Sequence, residues 1–216
     1  MILYGIVGAG GFGREVMPVA QSMLDLSPQD DAELVFVVEQ GPTGEVNGRK
    51  IISAEAFLSD PREKKFNIAI GDDAARARIA EAFKARGAVP FSIRATNAVV
   101  FDNNEIGEGA ILCPFTTITS NARIGRFFHA NLYSYIAHDC VIGDFVTFAP
   151  GVKCNGGVIV EDHAYIGTGA IIKQGSKEKP IVIGRGAVVG MGAVVTKSVP
   201  AGATVIGNPA APMRRD

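Results

Sequence analysis

The chain has 216 residues, a size that corresponds to one or two domains with a sizeable core. Its 21 basic and 22 acidic side chains give a formal net charge of −1, so we expect no general attraction to nucleic acid or anionic lipid. Glycine is abundant at 26 residues and aromatic residues make up 7%, which is typical of short β segments joined by tight turns. No apolar run approaches roughly 18 residues, so no membrane insertion is predicted.

The N-terminal part alternates apolar strands with helical patterns, which indicates a small parallel α/β sheet. Strands are predicted at Ile2–Val7, Leu34–Val38 and Phe66–Ile70. Helices are predicted at Arg14–Leu26, with Val16, Val19, Met23 and Leu24 on the buried side, and at Ala74–Arg86, with Ile79, Ala82 and Phe83 buried.

From residue 97 onward a six-residue period replaces the helical pattern. Every sixth residue over twelve repeats is apolar: Ile106, Leu112, Ile118, Ile124, Ala130, Ile136, Ile142, Phe148, Cys154, Val160, Ile166 and Ile172. Random placement at 47% apolar composition would give such a series with a probability of roughly 10⁻⁴. The fifth position of each repeat is small or β-branched, with Phe128 the bulky exception. Ile-Gly pairs also recur once in every three repeats, at Ile106, Ile124 and Ile142.

This period predicts a β-solenoid in which three repeats close one triangular coil of about 18 residues and about six coils stack. The small fifth residue is expected to let the chain turn. After Ile172 the phase slips by five residues and then resumes, so polar Gln174–Lys179 is predicted to be a loop pushed out between coils. That loop could line a cleft, but simple solvation is the favoured interpretation. A β-sandwich would instead show alternation with period two.

A glycine-rich turn, Gly8–Gly13, matches G-x-G-x-x-G between a predicted strand and a predicted helix. Backbone amides at such a helix N-terminus can hold the phosphates of a nucleotide, and Glu39 after the second strand could accept a ribose hydroxyl. A redox dinucleotide is less favoured because the second half of a dinucleotide fold is missing. A tight turn without a ligand remains open.

Three histidines, His129, His138 and His163, are the candidate bases. His138 occupies an outward position of its repeat and is followed by Asp139, whose carboxylate would raise its basicity. His163 also has acidic neighbours, so adjacency does not decide between the two, and a solvated histidine remains an alternative. The spacings match no common metal-ligand pattern, so no metal site is predicted. Three widely spaced cysteines predict neither disulfides nor a zinc ribbon, and a reducing cytoplasm is the expected compartment.

Together, the glycine-rich α/β half, the segment 69–73 (AIGDD), the hexapeptide repeats and the ending 205–210 (VIGNPA) resemble one family. It comprises the nucleotide-amino-sugar N-acetyltransferases of bacillosamine and perosamine biosynthesis, grouped with sialic-acid O-acetyltransferase-like proteins. The resemblance implies a Rossmann-like nucleotide-sugar-binding domain over 1–96 and a left-handed parallel β-helix acyltransferase domain over 97–216. It also implies a homotrimer with acetyl-CoA in clefts between neighbouring β-helices.

The same resemblance assigns roles to individual residues. The segment 131–143 matches the family's catalytic stretch and makes His138 the general base, Asp139 its acidic partner and Asn131 a contact of the sugar near its amine. Gly156, one predicted coil after His138, matches a glycine whose amide faces the thioester carbonyl. His163 then becomes a solvated side chain.

Further residues are implied as ligand contacts. The nucleotide-linked sugar would contact Gly10, Gly11, Phe12, Glu39, Gly71 and Asp72, and acetyl-CoA would contact Thr147, Gly156, Thr168 and Met191. The chain departs from the family where Thr147 and Phe12 replace common histidines, and where Arg94-Ala95-Thr96 replaces a usual His-Pro.

The expected reaction is acetyl transfer from acetyl-CoA to the amine of a nucleotide-linked 4-amino-4,6-dideoxy sugar. Three alternatives stay open: O-acetylation of a sialic-acid-like sugar, a zinc-dependent hydratase on the same solenoid, and a non-catalytic nucleotide-binding trimer. Neither the sugar nor the nucleotide is specified by the residue pattern.

Overall fold

The computed structural model describes residues 1–26 and 32–213. They fall into two compact units, one extending to Thr96 and the other beginning at Asn97.

The first unit contains a six-stranded sheet with strands in the order β3-β4-β2-β1-β5-β6. Its elements are β1 (Ile2–Val7), α1 (Gly11–Leu26), β2 (Ala32–Val38), β3 (Gly44–Val46), β4 (Arg49–Ser53), α2 (Ala54–Ser59), β5 (Glu63–Ile68), α3 (Asp73–Ala85), β6 (Val89–Pro90) and β7 (Ile93–Arg94). All neighbouring strands of this sheet are parallel except β3 and β4. This Rossmann-like arrangement confirms the predicted α/β class.

The buried stripes of the helices differ from the predicted ones. In α1 the buried residues are Gly13, Val16, Met17 and Ala20, whereas Val19, Met23 and Leu24 are only half-buried. In α3 the buried residues are Arg76, Ile79, Ala80 and Phe83, and Ala82 is exposed. Side-chain type alone therefore did not identify the buried stripes, which include the small Gly13 and Ala80 as well as the long Arg76. The third predicted strand ends at Ile68 rather than Ile70.

The glycine-rich turn has two kinds of glycine. A Cβ on Gly13 would overlap the carbonyl oxygen of Gly8, so the first turn of α1 can approach the end of β1 only without a side chain. Gly8 itself has a φ of +108°, in the left-handed region. A Cβ on Gly10 or Gly11 would meet nothing within 4 Å.

The second unit is a left-handed parallel β-helix. Its strands are β8 (Val99–Val100), β9 (Glu105–Ile106), β10 (Ile111–Leu112), β11 (Thr117–Ile118), β12 (Arg123–Ile124), β13 (His129–Ala130), β14 (Tyr135–Ile136), β15 (Val141–Ile142), β16 (Thr147–Phe148), β17 (Lys153–Cys154), β18 (Val158–Val160), β19 (Tyr165–Ile166), β20 (Ile171–Ile172), β21 (Ile181–Ile183), β22 (Val188–Val189), β23 (Val194–Val195), β24 (Thr204–Ile206) and β25 (Ala211–Pro212).

These strands build three faces. The first face contains β10, β13, β16, β19, β22 and β24; the second contains β8, β11, β14, β17, β20 and β23; the third contains β9, β12, β15, β18 and β21. Each strand of a face pairs in parallel with the strands of the same face on the neighbouring coils. β25 pairs with β24 in antiparallel orientation. The predicted solenoid is therefore confirmed.

The register confirms both the predicted coil length and the slip. Ile118 pairs with Ile136 and Ile136 with Cys154, whereas Val160 pairs with Ile183, which is five residues further than a regular coil. The final coil is shorter than the regular ones, because Val189 pairs with Val205. Of the twelve inward positions eleven are buried, and Ile106, in the edge strand β9, is half-buried.

The turns lie one residue earlier than predicted. The fourth residue of each repeat, not the small fifth one, carries a positive φ, as at Asn121 (62°), Tyr133 (59°) and Asp139 (59°). The fifth residue is instead buried inside the corner. At the corner between the third and first faces the fourth residues are aromatic: Phe127 stacks on Phe145 at 5.5 Å and Phe145 on His163 at 5.3 Å. The expectation that His163 is simply solvated is therefore wrong.

Within the described ranges, no helix has both the length and the apolar character needed to cross a bilayer.

Replacing Gly13 by alanine should lower the free energy of unfolding by about 2 kcal/mol, because the clash is with backbone and no rotamer can relieve it. Alanine favours helix by up to about 1 kcal/mol, which is too little to offset the clash. Gly10→Ala is the matched control and should change stability by less than about 0.5 kcal/mol. Urea unfolding of both variants measures the difference, and equal stabilities would contradict the close approach.

Candidate active site

His138 and Gly156 lie on neighbouring coils at the corner between the second and third faces, which we call the His138 corner. His138 follows β14 and Gly156 follows β17, and β14 pairs with β17. A Cβ on Gly156 would lie 2.6 Å from both Cε1 and Nε2 of His138, so the imidazole packs directly against the glycine backbone. A side chain on this residue would displace the ring from its present position.

Gly156 is buried, and its amide is left without an acceptor within the described residues. Its neighbours are used by the coil, since the Asn155 amide donates to the Ile172 carbonyl and the Gly157 amide donates to the His138 carbonyl. Within the described residues the Gly156 amide has no acceptor, although its carbonyl accepts from Gly175 at 2.9 Å. An unpaired amide beside an imidazole is the donor that a developing oxyanion requires.

A carboxylate holds the imidazole from its other side. His138 Nδ1 lies 2.7 Å from Asp139 Oδ2, and Asn121 Nδ2, one coil below, lies 3.3 Å from Asp139 Oδ1. The hydrogen bond to His138, and to a lesser degree the one from Asn121, holds the pKa of the Asp139 carboxyl below its usual value. With the proton on Nδ1 donated to Asp139, Nε2 is the proton acceptor beside Gly156.

The imidazole opens into a cavity of about 690 Å³. Its lining is Asn121, Arg123, His138, Asp139, Val141, Gly157, Ile159, Gln174, Gly175, Ser176, Lys177 and Pro180. Residues of the inserted loop form one wall of this cavity, and most side chains of Gln174–Lys179 are exposed, so the loop is solvated and also lines a cleft. Arg123 and Lys177 bring positive charge to a cavity whose other charged residue is Asp139.

Other predicted site residues lie elsewhere on the β-helix. Thr147 is buried in β16 on the first face. Asn131, Thr168 and Met191 lie at the corner between the first and second faces, which we call the Tyr133 corner, where Met191 is 81% exposed. Within one chain these four residues therefore lie apart from His138, because the second face separates the Tyr133 corner from the His138 corner.

The predicted nucleotide residues all belong to the first unit, and Glu39 is the one of them that lines its cavity. A cavity of about 620 Å³ at the carboxyl ends of β1 and β2 is lined by Val7, Gly8, Ala9, Val37, Val38, Glu39, Gln40, Ile70 and Arg78. Gly11 and Phe12 begin α1, directly after Gly10, and Gly71 is exposed. Asp72 caps the N-terminus of α3, where its carboxylate accepts from the Ala75 amide at 2.8 Å.

Glu39 has a partner that the sequence did not reveal. Arg78 donates to both of its carboxylate oxygens at 2.8 and 2.7 Å, which lowers the pKa of Glu39.

On the β-helix, Asn121 and Arg123 were also missed by the sequence analysis. Asn121 lies one coil before Asp139, so the repeat alone could have found it. The described residues contain no cluster of three or more His, Cys, Asp or Glu side chains suited to a metal ion.

Removing the imidazole with His138→Ala should raise the pKa of the Asp139 carboxyl toward its ordinary value of 3.8, because its strongest hydrogen bond is lost. Asn121→Ala should raise that pKa by a smaller amount. The carboxyl therefore titrates at higher pH in both variants than in the wild type. Carbon-13 NMR titration of Asp139 measures the shift, and an unchanged titration in His138→Ala would contradict the contact.

Known proteins resemble this chain over its whole length. Residues 5–83 match the PglD N-terminal domain family. The chain is 55% identical over all of its 216 residues to the GDP-perosamine N-acetyltransferase of Escherichia coli O157:H7, of which 98% is covered. WeeI from Acinetobacter baumannii AYE is similar in structure, with a TM-score of 0.95, 50% identity, and coverage of 99% of this chain and all of that one.

A third similar structure is the acetyltransferase domain of PglB from Neisseria gonorrhoeae FA1090 in complex with acetyl coenzyme A. Its TM-score is 0.86 at 28% identity, and 98% of each chain is covered. Matches of this extent include both units and the hexapeptide repeats. The chain therefore belongs to the family of nucleotide-amino-sugar N-acetyltransferases, within the hexapeptide-repeat acyltransferases.

Proposed function

We propose that this enzyme transfers the acetyl group of acetyl-CoA to the amine of a nucleotide-linked amino sugar, with His138 as the general base. The observation that carries this proposal is the imidazole of His138 packed against Gly156, whose amide has no acceptor within the described residues, with Asp139 Oδ2 2.7 Å from Nδ1 of the same ring. A base, an orienting carboxylate and an oxyanion donor are the parts that acyl transfer requires.

The reaction follows from these positions. The sugar amine attacks the thioester carbonyl carbon, and His138 Nε2 takes the amine proton as the tetrahedral intermediate forms. The Gly156 amide donates to the oxyanion, a contact of a kind that contributes about 3 kcal/mol. Asp139 stabilises the imidazolium. When the carbon–sulfur bond breaks, the imidazolium returns the proton to the thiolate of CoA.

The acceptor is a sugar linked to a nucleoside diphosphate. Backbone amides at the start of α1, next to Gly10 and Gly11, can receive phosphate oxygens, and the open space around both glycines allows a ligand to approach. Glu39 and Arg78 lie in the adjacent cavity, where Glu39 can still accept a ribose hydroxyl. The relative at 55% identity is a GDP-perosamine N-acetyltransferase, which favours a GDP-linked 4-amino-4,6-dideoxy sugar.

The working form is a homotrimer. Its active sites lie between chains, where the His138 corner of one β-helix faces the Asn131, Thr147, Thr168 and Met191 side of the next. This arrangement explains why these residues lie apart within one chain. The Tyr133 corner also exposes a stacked aromatic pair, Phe115 and Tyr133, with ring centroids 4.9 Å apart, and a neighbouring chain would cover it.

The three cysteines are free thiols, in agreement with a cytoplasmic location.

His138→Ala should lower kcat by about 10²- to 10⁴-fold with little change in KM for acetyl-CoA, because the base acts on the chemical step. Thiol release from acetyl-CoA, measured with GDP-, dTDP- and UDP-linked 4-amino sugars, tests the role and the acceptor together. His163→Phe is the control, since it preserves the stack on Phe145. Near-wild-type turnover of His138→Ala would remove His138 from this role, and turnover restricted to hydroxyl acceptors would favour O-acetylation.

Two inactive variants should restore each other if the site is shared. When Asn131→Ala and His138→Ala chains are co-expressed in equal amounts, about one third of the sites in mixed trimers combine an intact Asn131 with an intact His138 from different chains. Activity of the purified mixture should then exceed that of either variant alone. No recovery, in a mixture shown by mass spectrometry to contain mixed trimers, would place both residues in the site of one chain.

A further inference from the structure

We infer that Tyr135, Asn155 and Cys140 are positioning residues, which hold the peptide unit that presents the Gly156 amide to the oxyanion. The inference rests on the role proposed above for that amide. An oxyanion donor is effective only when its direction is fixed before the reaction, because no energy is then spent on reorientation during the chemical step.

The side chain of Asn155 is fixed at both of its polar atoms. The Tyr135 hydroxyl donates to Asn155 Oδ1 at 2.8 Å, and Asn155 Nδ2 donates to the Ile172 carbonyl, one coil above, at 2.7 Å. The Asn155 backbone amide points to the same carbonyl, at 3.4 Å. A chain of hydrogen bonds across three coils therefore restrains the residue that precedes Gly156.

The carbonyl end of the same peptide unit is held from inside the corner. The buried Cys140 thiol lies with Sγ 3.2 Å from the Asn155 carbonyl oxygen. That carbonyl and the Gly156 amide belong to one planar peptide group, so fixing one fixes the direction of the other. A hydrogen bond to the carbonyl also polarises the group and strengthens its N–H as a donor.

This network is confined to the level of the active site. On other coils, the positions equivalent to Asn155 are occupied by Thr119, Ala137 and Lys173. The positions equivalent to Tyr135 are occupied by Thr117, Lys153 and Ile171. Ala122 and Val158 occupy the corner position of Cys140 on the neighbouring coils. Hydrogen bonds that only join neighbouring coils could occur on every coil. This network instead occurs on the coil where Gly156 faces His138.

Tyr135→Phe is the most selective test because it removes one hydroxyl. We expect kcat to fall about fivefold, KM for acetyl-CoA to stay within about twofold, and the pH dependence of kcat to remain that of the wild type, because the base is untouched. Tyr165→Phe is the matched control: it occupies the same place in its repeat, and its hydroxyl makes no hydrogen bond within the described residues. It should keep wild-type turnover.

A second variant tests the next link of the chain. Asn155→Asp keeps an acceptor for Tyr135 but loses the donor to Ile172, and we expect kcat to fall about tenfold. In the double variant with Tyr135→Phe, the fold reduction of kcat should be smaller than the product of the two single fold reductions, since both substitutions act through one peptide group. Thermal unfolding of every variant shows whether it is fully folded at the assay temperature.

Turnover of folded Tyr135→Phe within twofold of the wild type would overturn the inference. So would a pH profile shifted in the same way as that of Asp139→Asn, because the base rather than the donor would then be affected. A loss of activity equal to the unfolded fraction would assign a purely structural role. Wild-type turnover of His138→Ala would instead contradict the proposed function, independently of the result for Tyr135→Phe.

Discussion

The parallel hydrogen-bond ladder between successive coils is the constraint on which the candidate site depends. Each strand pairs with the strand one coil away, so a residue and its counterpart on the next coil are stacked about 4.8 Å apart. This spacing is close enough for an imidazole to lie against the backbone of the next coil. Asn121, Asp139, His138 and Gly156 are brought together by it without any loop having to fold around a ligand. The backbone beneath the site therefore belongs to the ladder of the β-helix itself.

The same constraint explains how much could be predicted from the sequence. An inward apolar residue every six positions determined the fold class, and counting three repeats onward placed Gly156 on the coil above His138. The turn geometry was placed wrongly because the turns were assigned to the small fifth residues, although Gly, Asn and Asp, which favour a positive φ, recur at the fourth position; only aromatic residues such as Phe127 and Phe145 give no such signal. The short final coil was not predicted, since a shortened coil keeps the apolar pattern of each strand and loses residues only at its corners.

In the first unit, prediction succeeded for long strands and helices and failed for the short ones. β3, β4 and α2 have three to six residues each, too few for a period to emerge, so they were not predicted. The pair of Glu39 and Arg78 was missed because it joins residues far apart in the chain through a sheet whose strand order reverses. The separation of Asn131, Thr147, Thr168 and Met191 from His138 within one chain was not predicted from the residue pattern, because the repeat specifies which residues stack and not which corners a ligand contacts.

The inserted segment 174–180 shows how a repetitive scaffold can diversify. It adds five residues to one coil, and the strands on either side keep their pairing in all three faces. Its length and composition can therefore drift over evolutionary time while the spacing of acid, base and amide stays constant. Substitutions there would reshape one wall of the His138 cavity and leave the ladder beneath it intact.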